Sequence, residues 1–303
     1  MKYTLYLTGG LGKVITAIPA CEKFVKKNPN TTIVLSWHTP VLFGNPILTD
    51  KVFDLSTKGL YEKIKDTKIL APEPYFNNDY LNGKINLADA WNQEINGDKE
   101  PMPVPKLYIS KYEYNITKLV KPNSNPTIAF QPFGNSAIIE NNDVIDNSYR
   151  SLPKNFTIEL VKLFKKLGAN IFLVTNQQIT FLNAVDFVNY YPPDVRHYVA
   201  AINHCDYFVG VDSSGQHIAR SYDIPGTIIM GASNTVNTTY PDFFNVLNDN
   251  PEKPYQFFGP LTDIFDNYLN NVRNSFIMDF NEKDIKDICN KIQKHYKTHI
   301  KKK

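Results

Sequence analysis

The chain has 303 residues and a formal net charge of +3, from 33 basic and 30 acidic side chains; 42% of its residues are hydrophobic and 21% charged, and its mean hydropathy is -0.33. This composition excludes a disordered or fibrous polymer and a globally basic nucleic-acid binder, and no apolar run approaches the roughly 18 to 20 residues that a membrane-spanning helix needs. Three scattered cysteines, Cys21, Cys205 and Cys289, give neither a disulfide framework nor a CxxC metal site.

Residues 3–7 are short and β-prone, the run from Thr8 to Lys13 (TGGLGK) breaks them, and Val14, Ile18, Cys21 and Val25 then recur at helical spacing up to Lys27. The unit reads as strand, glycine turn, helix. Residues 32–36 form a second, β-branched strand, and 52–55 and 68–70 two more; their alternation with helical or loop segments predicts a parallel sheet in an α/β domain. Two Pro-rich connections follow, at 97–105 and 121–126, and the second divides an N-terminal domain of residues 1–122 from a C-terminal domain of 123–303. The pattern then restarts. Residues 127–131 are a strand, a polar loop runs through Arg150, 153–167 a helix, 170–175 a strand, 197–205 a short helix, 207–211 a strand, 214–222 a helix and 226–230 a strand. An amphipathic helix over 282–296 ends the chain, expected to pack back on the first domain, with Lys291, Lys294, Lys297 and Lys301 to Lys303 placing cations at its C-terminal end. Two α/β halves of similar size predict a ligand cleft between them.

The chemistry-bearing residues gather at the predicted strand ends. In the first turn, Gly10, Gly12 and Lys13 precede a helix whose amides suit an anion or a closely approaching substrate. A Walker A loop is excluded, because Leu7 stands where its first glycine belongs and Val14 where its Ser or Thr belongs; the dinucleotide fingerprint fails at Ile15. In the second half, a hydrophobic strand ends in Asp212, Ser213 and Ser214 open a helix, and His217 lies in its first turn with Arg220 one turn later. Hydroxyls and helix amides of this kind hold phosphate oxygens, and Asp212 can accept from sugar hydroxyls. Gly134, Asn135 and Ser136 on one side of the polar loop and Arg150 on the other suit a nucleotide diphosphate, Arg150 bidentately. A third loop, at Gly231, points small residues at the same edge. The first half offers carboxylates among aromatics, Glu73 and Asp79 near Tyr75, Phe76 and Tyr80, and Asp89 near Trp91; His38 follows the second strand as a further candidate base.

Taken together, these residues resemble glycosyltransferase family 9, the heptosyltransferase-like group. Asp212, Ser213, His217 and Ala219 match its late Asp-Ser-Gly-x-x-His-x-Ala motif with Ser214 in place of the glycine, and Arg150 stands at its phosphate-binding Lys position with Leu152 in place of Trp. The resemblance implies a GT-B fold, two Rossmann-like domains facing a central cleft, and transfer of a sugar from a nucleotide-diphosphate sugar to an acceptor hydroxyl with inversion, without a metal or other cofactor. It also implies an acceptor-binding first domain with the Gly10, Gly12, Lys13 loop, and a donor-binding second domain with Gly134, Asn135, Arg150, Asp212, Ser213, Ser214, His217 and Gly231. The largest departure is Lys13, where the family carries its acidic catalytic base; a charged lysine accepts no proton. The base is therefore expected among Asp79, Glu73, Asp89 and His38, or the chain is a non-catalytic binder of sugar nucleotides or glycans.

Two acceptors stay open: a surface glycan such as lipopolysaccharide core, and a hydroxymethylated pyrimidine in phage DNA. The second draws on the Gly-Gly-Leu-Gly-Lys variant, which resembles a branch of the group found in bacteriophages and some bacteria. The N-terminus lacks the pattern of a signal peptide, so the expected location is the cytoplasm.

Overall fold

A computed structural model describes residues 1–141, 143–146, 148–175, 179–182, 194–249, 278 and 280–300. The first half is built on a four-stranded sheet of β1 (Tyr3–Leu7), β2 (Thr31–Leu35), β3 (Val52–Asp54) and β4 (Lys68–Leu70), in the spatial order β3-β2-β1-β4 with every pairing parallel. Parallel neighbours require crossover connections, and α1 (Leu11–Lys27) supplies the first, burying Val14, Ile15, Ile18, Cys21 and Val25. The short helices α2 (Leu60–Ile64) and α3 (Asn78–Leu81) lead to α4 (Leu87–Asn96), which packs along α1 and starts where the Asn86 side chain accepts the Asp89 N–H. Helix α5 (Lys111–Ile116) begins in a capping box of Ser110 and Glu113, and a 3-10 turn at Lys118–Val120 ends this half.

The second half carries a five-stranded parallel sheet of β5 (Thr127–Gln131), β8 (Asn170–Leu173), β9 (Tyr207–Val211), β10 (Gly226–Ile229) and β11 (Asn245–Leu247), in the order β11-β10-β9-β5-β8. β5 and β9 are buried at every residue, as central strands covered on both faces must be. Around them lie α6 (Lys154–Lys166), α7 (Val195–Asn203), α8 (Ser214–Ser221), α9 (Thr235–Thr238) and the terminal α10 (Glu282–Ile300). The polar loop before Arg150 is more structured than its sequence predicts: β6 (Ile138–Glu140) and β7 (Asp143–Ile145) form an antiparallel hairpin inside it. Helix α10 also departs from expectation. Its apolar stripe of Ile285, Ile288, Ile292 and Tyr296 joins Phe156, Phe164, Ile128 and Tyr207 under the second sheet rather than reaching the first half, because that face of β5 and β9 needs a cover besides α6.

A single apolar cluster runs from Leu5, Ile15 and Trp91 in the first half to Phe208, Ile218 and Phe244 in the second. Polar ties reinforce it. Arg196 reaches Glu113 bidentately at 2.7 and 2.8 Å and donates to the Phe43 carbonyl at 2.6 Å, and this guanidinium holds the Glu113 carboxyl down at about 2. Asn237 donates to the carbonyls of Tyr80 and Ile85 at 2.9 and 2.8 Å. The carboxyl ends of the two sheets thereby face one another across a cleft.

Candidate functional site

The cleft holds about 640 Å³ and is lined from both halves: Gly10, Gly12, Lys13, His38 and Tyr75 on one side, Gly134, Asn135, Arg150, Asp212, Ser213, Ser214 and His217 on the other. Helices α1 and α8 meet in its floor. Neither N-cap residue, Gly10 or Ser213, caps its helix with its own side chain, and a Cβ on Gly12 would stand 3.0 Å from the His217 ring, so the glycine permits the close approach of the two helices.

The turn between β9 and α8 is fixed from β5. The Gln131 amide donates to Ser213 Oγ at 3.0 Å while its oxygen accepts the Gly215 N–H at 3.0 Å, which holds both serines at the cleft surface. Asp212 lines the cleft, with both carboxylate oxygens already engaged by neighbours. It is buried, accepts from Gln216 at 2.8 Å and Ser233 at 2.5 Å, and lies 3.9 Å from the Arg150 guanidinium. Burial raises its carboxyl above the usual range, opposed by Arg150 and the two hydrogen bonds. His217 is likewise buried and bonded through Nδ1 to the Tyr240 hydroxyl at 3.0 Å; desolvation brings it down to about 4, so at neutral pH it offers a hydrogen bond and no charge. Arg220 turns away from the site, pairing with Asp223 and stacking 4.2 Å over the Phe243 ring.

Arg150 is aimed by a residue that the sequence did not mark. Asp146 accepts from Ser136 at 2.8 Å, from the Ser148 N–H and hydroxyl at 2.8 and 2.5 Å and from the Ser151 N–H and hydroxyl at 3.1 and 2.5 Å. Burial pulls its carboxyl up, and these bonds outweigh that and leave it lowered. The knot closes the loop upon itself, Ser151 Oγ accepts the Gly134 N–H at 2.9 Å, and Arg150 Nε donates to Ser148 at 3.1 Å. The serine spacing around Asp146 was the available signal. Gly231 lies outside the lining but braces the same loop: a Cβ there would fall 2.0 Å from the Tyr149 carbonyl oxygen and 2.7 Å from Arg150 Cα.

On the first-half side the candidate bases separate. Asp79 pairs with exposed Lys99 at 3.1 Å, and Asp89 accepts the Met102 N–H at 2.7 Å and an Asn86 amide at 2.9 Å, so neither lines the cleft. Glu73 stands behind the wall, holding Lys13 Nζ with both oxygens at 2.7 Å. The lysine is buried, its Nζ 4.5 Å from the Tyr75 ring centre and 5.5 Å from that of Trp91, whose indole N–H donates to the Lys13 carbonyl at 3.0 Å. Burial lowers the Lys13 ammonium, against the opposing pull of Glu73. His38 alone of the four lines the cleft. It adopts a left-handed backbone at φ 65°, its ring makes no hydrogen bond to the described residues, and partial burial lowers it from its ordinary 6.5, leaving a neutral imidazole at neutral pH. Among the described residues no group of three or more His, Cys, Asp or Glu side chains gathers in metal-binding geometry, and no helix is long and apolar enough to cross a membrane.

The two parallel sheets facing a cleft define the GT-B architecture. Solved structures similar to this chain include the glycosyl transferase family 9 protein from Veillonella parvula, at 15% identity and TM-score 0.64 over 100% of this chain and 98% of that one. The Escherichia coli ADP-heptose lipopolysaccharide heptosyltransferase II is similar at 13% identity and TM-score 0.60, over 90% and 98%. The iron-containing dodecameric glycosyltransferase TibC of E. coli aligns at 14% identity and TM-score 0.61, over 96% and 76%, and is also known in complex with ADP-D-beta-D-heptose. No protein-family model matches the sequence, and no curated protein matches it.

Proposed function

We propose that the protein is an inverting, metal-independent glycosyltransferase that moves a sugar from a nucleotide-diphosphate sugar to a hydroxyl of a surface glycan, acting in the cytoplasm with residues 1–122 as acceptor domain and 123–303 as donor domain. The observation that carries this reading is the convergence, on one cleft between the two sheets, of Arg150, Ser213 and Ser214 from the second half with the neutral His38 from the first. The fold, shared with nucleotide-sugar enzymes such as the TibC protein bound to ADP-heptose, supports it.

In this reading the diphosphate lies against Arg150, the two serine hydroxyls and the amides opening α8, where cation and helix dipole stabilise the negative charge that develops on the departing oxygen. The acceptor hydroxyl approaches from the first-half side. Its oxygen attacks the anomeric carbon as the carbon to phosphate-oxygen bond breaks, and its proton passes to the unprotonated ring nitrogen of His38. Holding both substrates in line across the cleft converts a two-body encounter into an intramolecular one. Asp212 and Asp146 act through Arg150, fixing its direction, and His217 steadies the α1 to α8 contact as a neutral group.

The test is nucleoside-diphosphate release from ADP-heptose and other nucleotide-diphosphate sugars. Arg150→Ala is expected to lose at least tenfold in kcat/KM, about 1.4 kcal/mol, and His38→Ala about 100-fold in kcat for transfer with donor affinity kept. Unchanged kinetics in both variants refute the assignment.

A further inference from the structure

Tyr75 lines the cleft from the first half, where Arg150 and Asp212 line it from the second. It sits in the tight 3-10 turn Pro74–Phe76, which is fixed at both ends. Glu73 accepts the Tyr75 N–H at 3.2 Å with its side chain and the Phe76 N–H at 3.0 Å with its carbonyl, and the Asn77 N–H bonds to the Pro74 carbonyl at 3.1 Å. The ring is held as well. Lys13 Nζ stands 4.5 Å from its centre, fixed there by both Glu73 oxygens at 2.7 Å, and the Tyr80 ring packs against it with centroids 5.6 Å apart. Lys13, standing where family 9 carries an acidic residue, thus supports an aromatic ring in the cleft wall.

The Tyr75 hydroxyl reaches toward the other half. Glu73 precedes it by two residues and is bonded to its backbone, yet Asp212 and then Arg150 act on the phenol more strongly than Glu73 does. Coulombic influence falls with distance, so the oxygen extends from its own loop toward the Arg150 and Asp212 pair. At Tyr80, by contrast, Arg150 is not among the charges that act. Burial and Asp212 raise the Tyr75 phenol above its ordinary 10, so at neutral pH it keeps its proton and is an uncharged O–H donor. A fixed neutral donor beside an arginine matches an oxygen on which negative charge develops.

Resting on the glycosyltransferase reading of the cleft, we infer that Tyr75 is a catalytic residue of donor cleavage, its O–H donating a hydrogen bond to an oxygen of the donor's diphosphate alongside Arg150. As the carbon to phosphate-oxygen bond breaks, its electron pair stays on the departing diphosphate and the Tyr75 proton stays on the phenol. The donor site is thus completed by a side chain of the half that receives the acceptor.

The experiment measures nucleoside-diphosphate release, without acceptor, from ADP-heptose and a panel of other nucleotide-diphosphate sugars by wild type, Tyr75→Phe, Arg150→Ala and the double variant, together with their urea midpoints. Tyr75→Phe keeps the ring over Lys13 and removes only the hydroxyl, so its urea midpoint is expected to equal that of wild type. Its kcat is expected to fall about 100-fold, the effect of losing one donor to a developing oxyanion, with the KM for the donor nearly unchanged. The double variant is expected to lose less than the product of the two single losses, because hydroxyl and guanidinium serve the same charge. Hydrolysis by Tyr75→Phe at the wild-type rate overturns the inference and leaves the enzyme reading intact. A double loss equal to the product, or a loss of kcat accompanied by a lowered urea midpoint, overturns it in the same way. A wild type that releases no nucleoside diphosphate from any of these donors overturns the glycosyltransferase reading and this inference with it.

Discussion

Lys13 is a cation in the first turn of α1, where the helix dipole opposes it, and it is tolerated because Glu73 neutralises it. Its side chain is 5% exposed and that of Glu73 17%. Removing one partner of a buried pair costs about 3 to 5 kcal/mol, because the other charge stays behind without compensation. Water reaches Glu73 in part, which places Lys13→Met at the lower end, about 3 kcal/mol. Replacing both partners, as Lys13→Met with Glu73→Gln, removes the stranded charge and is expected to fall within about 1 kcal/mol of wild type, so the coupling between the sites is about 2 kcal/mol or more. Urea midpoints of the four proteins, read by far-ultraviolet circular dichroism at pH 7, measure this directly. A double variant that loses the sum of the two single losses refutes the argument, since the pair would then contribute nothing as a pair.

The remaining predictions concern pH and the donor loop. His217 falls from 6.5 to about 4 on folding, so the unfolded chain takes up a proton that the folded chain refuses. Stability is therefore unaffected above about pH 6.5 and declines as pH falls toward 4, by about 3 kcal/mol at 1.36 kcal/mol per unit. Urea midpoints at pH 7 and pH 4.5 should show a shallower acid loss in His217→Gln than in wild type, and parallel losses would contradict this. Gly231→Ala must displace the Tyr149 and Arg150 backbone, and calorimetry should show donor binding weakened at least tenfold, about 1.4 kcal/mol; unchanged affinity would separate that loop from the donor site.

The sequence by itself determined the alternation of strands and helices, since periodicity and the glycine and proline breaks are local properties. β1, β5, β9 and α8 appear within a residue of their predicted bounds, and α1 starts three residues before its expected Val14 and ends where expected. It also marked Arg150, Ser213, Ser214 and His217, because residues at the carboxyl ends of parallel strands face one edge whatever the packing. The three-residue strands β6, β7 and β11 escaped it although β3 and β4, equally short, did not: β6 and β7 lie in a loop rich in Asn and Asp, and Asn and Asp follow β11 directly. Only the tertiary structure decided how the charges are used. Glu73 lies 60 residues from the lysine it binds, the Asp212 carboxylate is engaged by Gln216 and Ser233, and Asp79 and Asp89 leave the cleft for local partners. Burial and partnership set whether a carboxylate, amine or imidazole can exchange a proton, and both depend on neighbours brought together from distant parts of the chain. For that reason His38, one of four candidates in the sequence, is singled out as the one that lines the cleft only once the fold has placed the other three elsewhere.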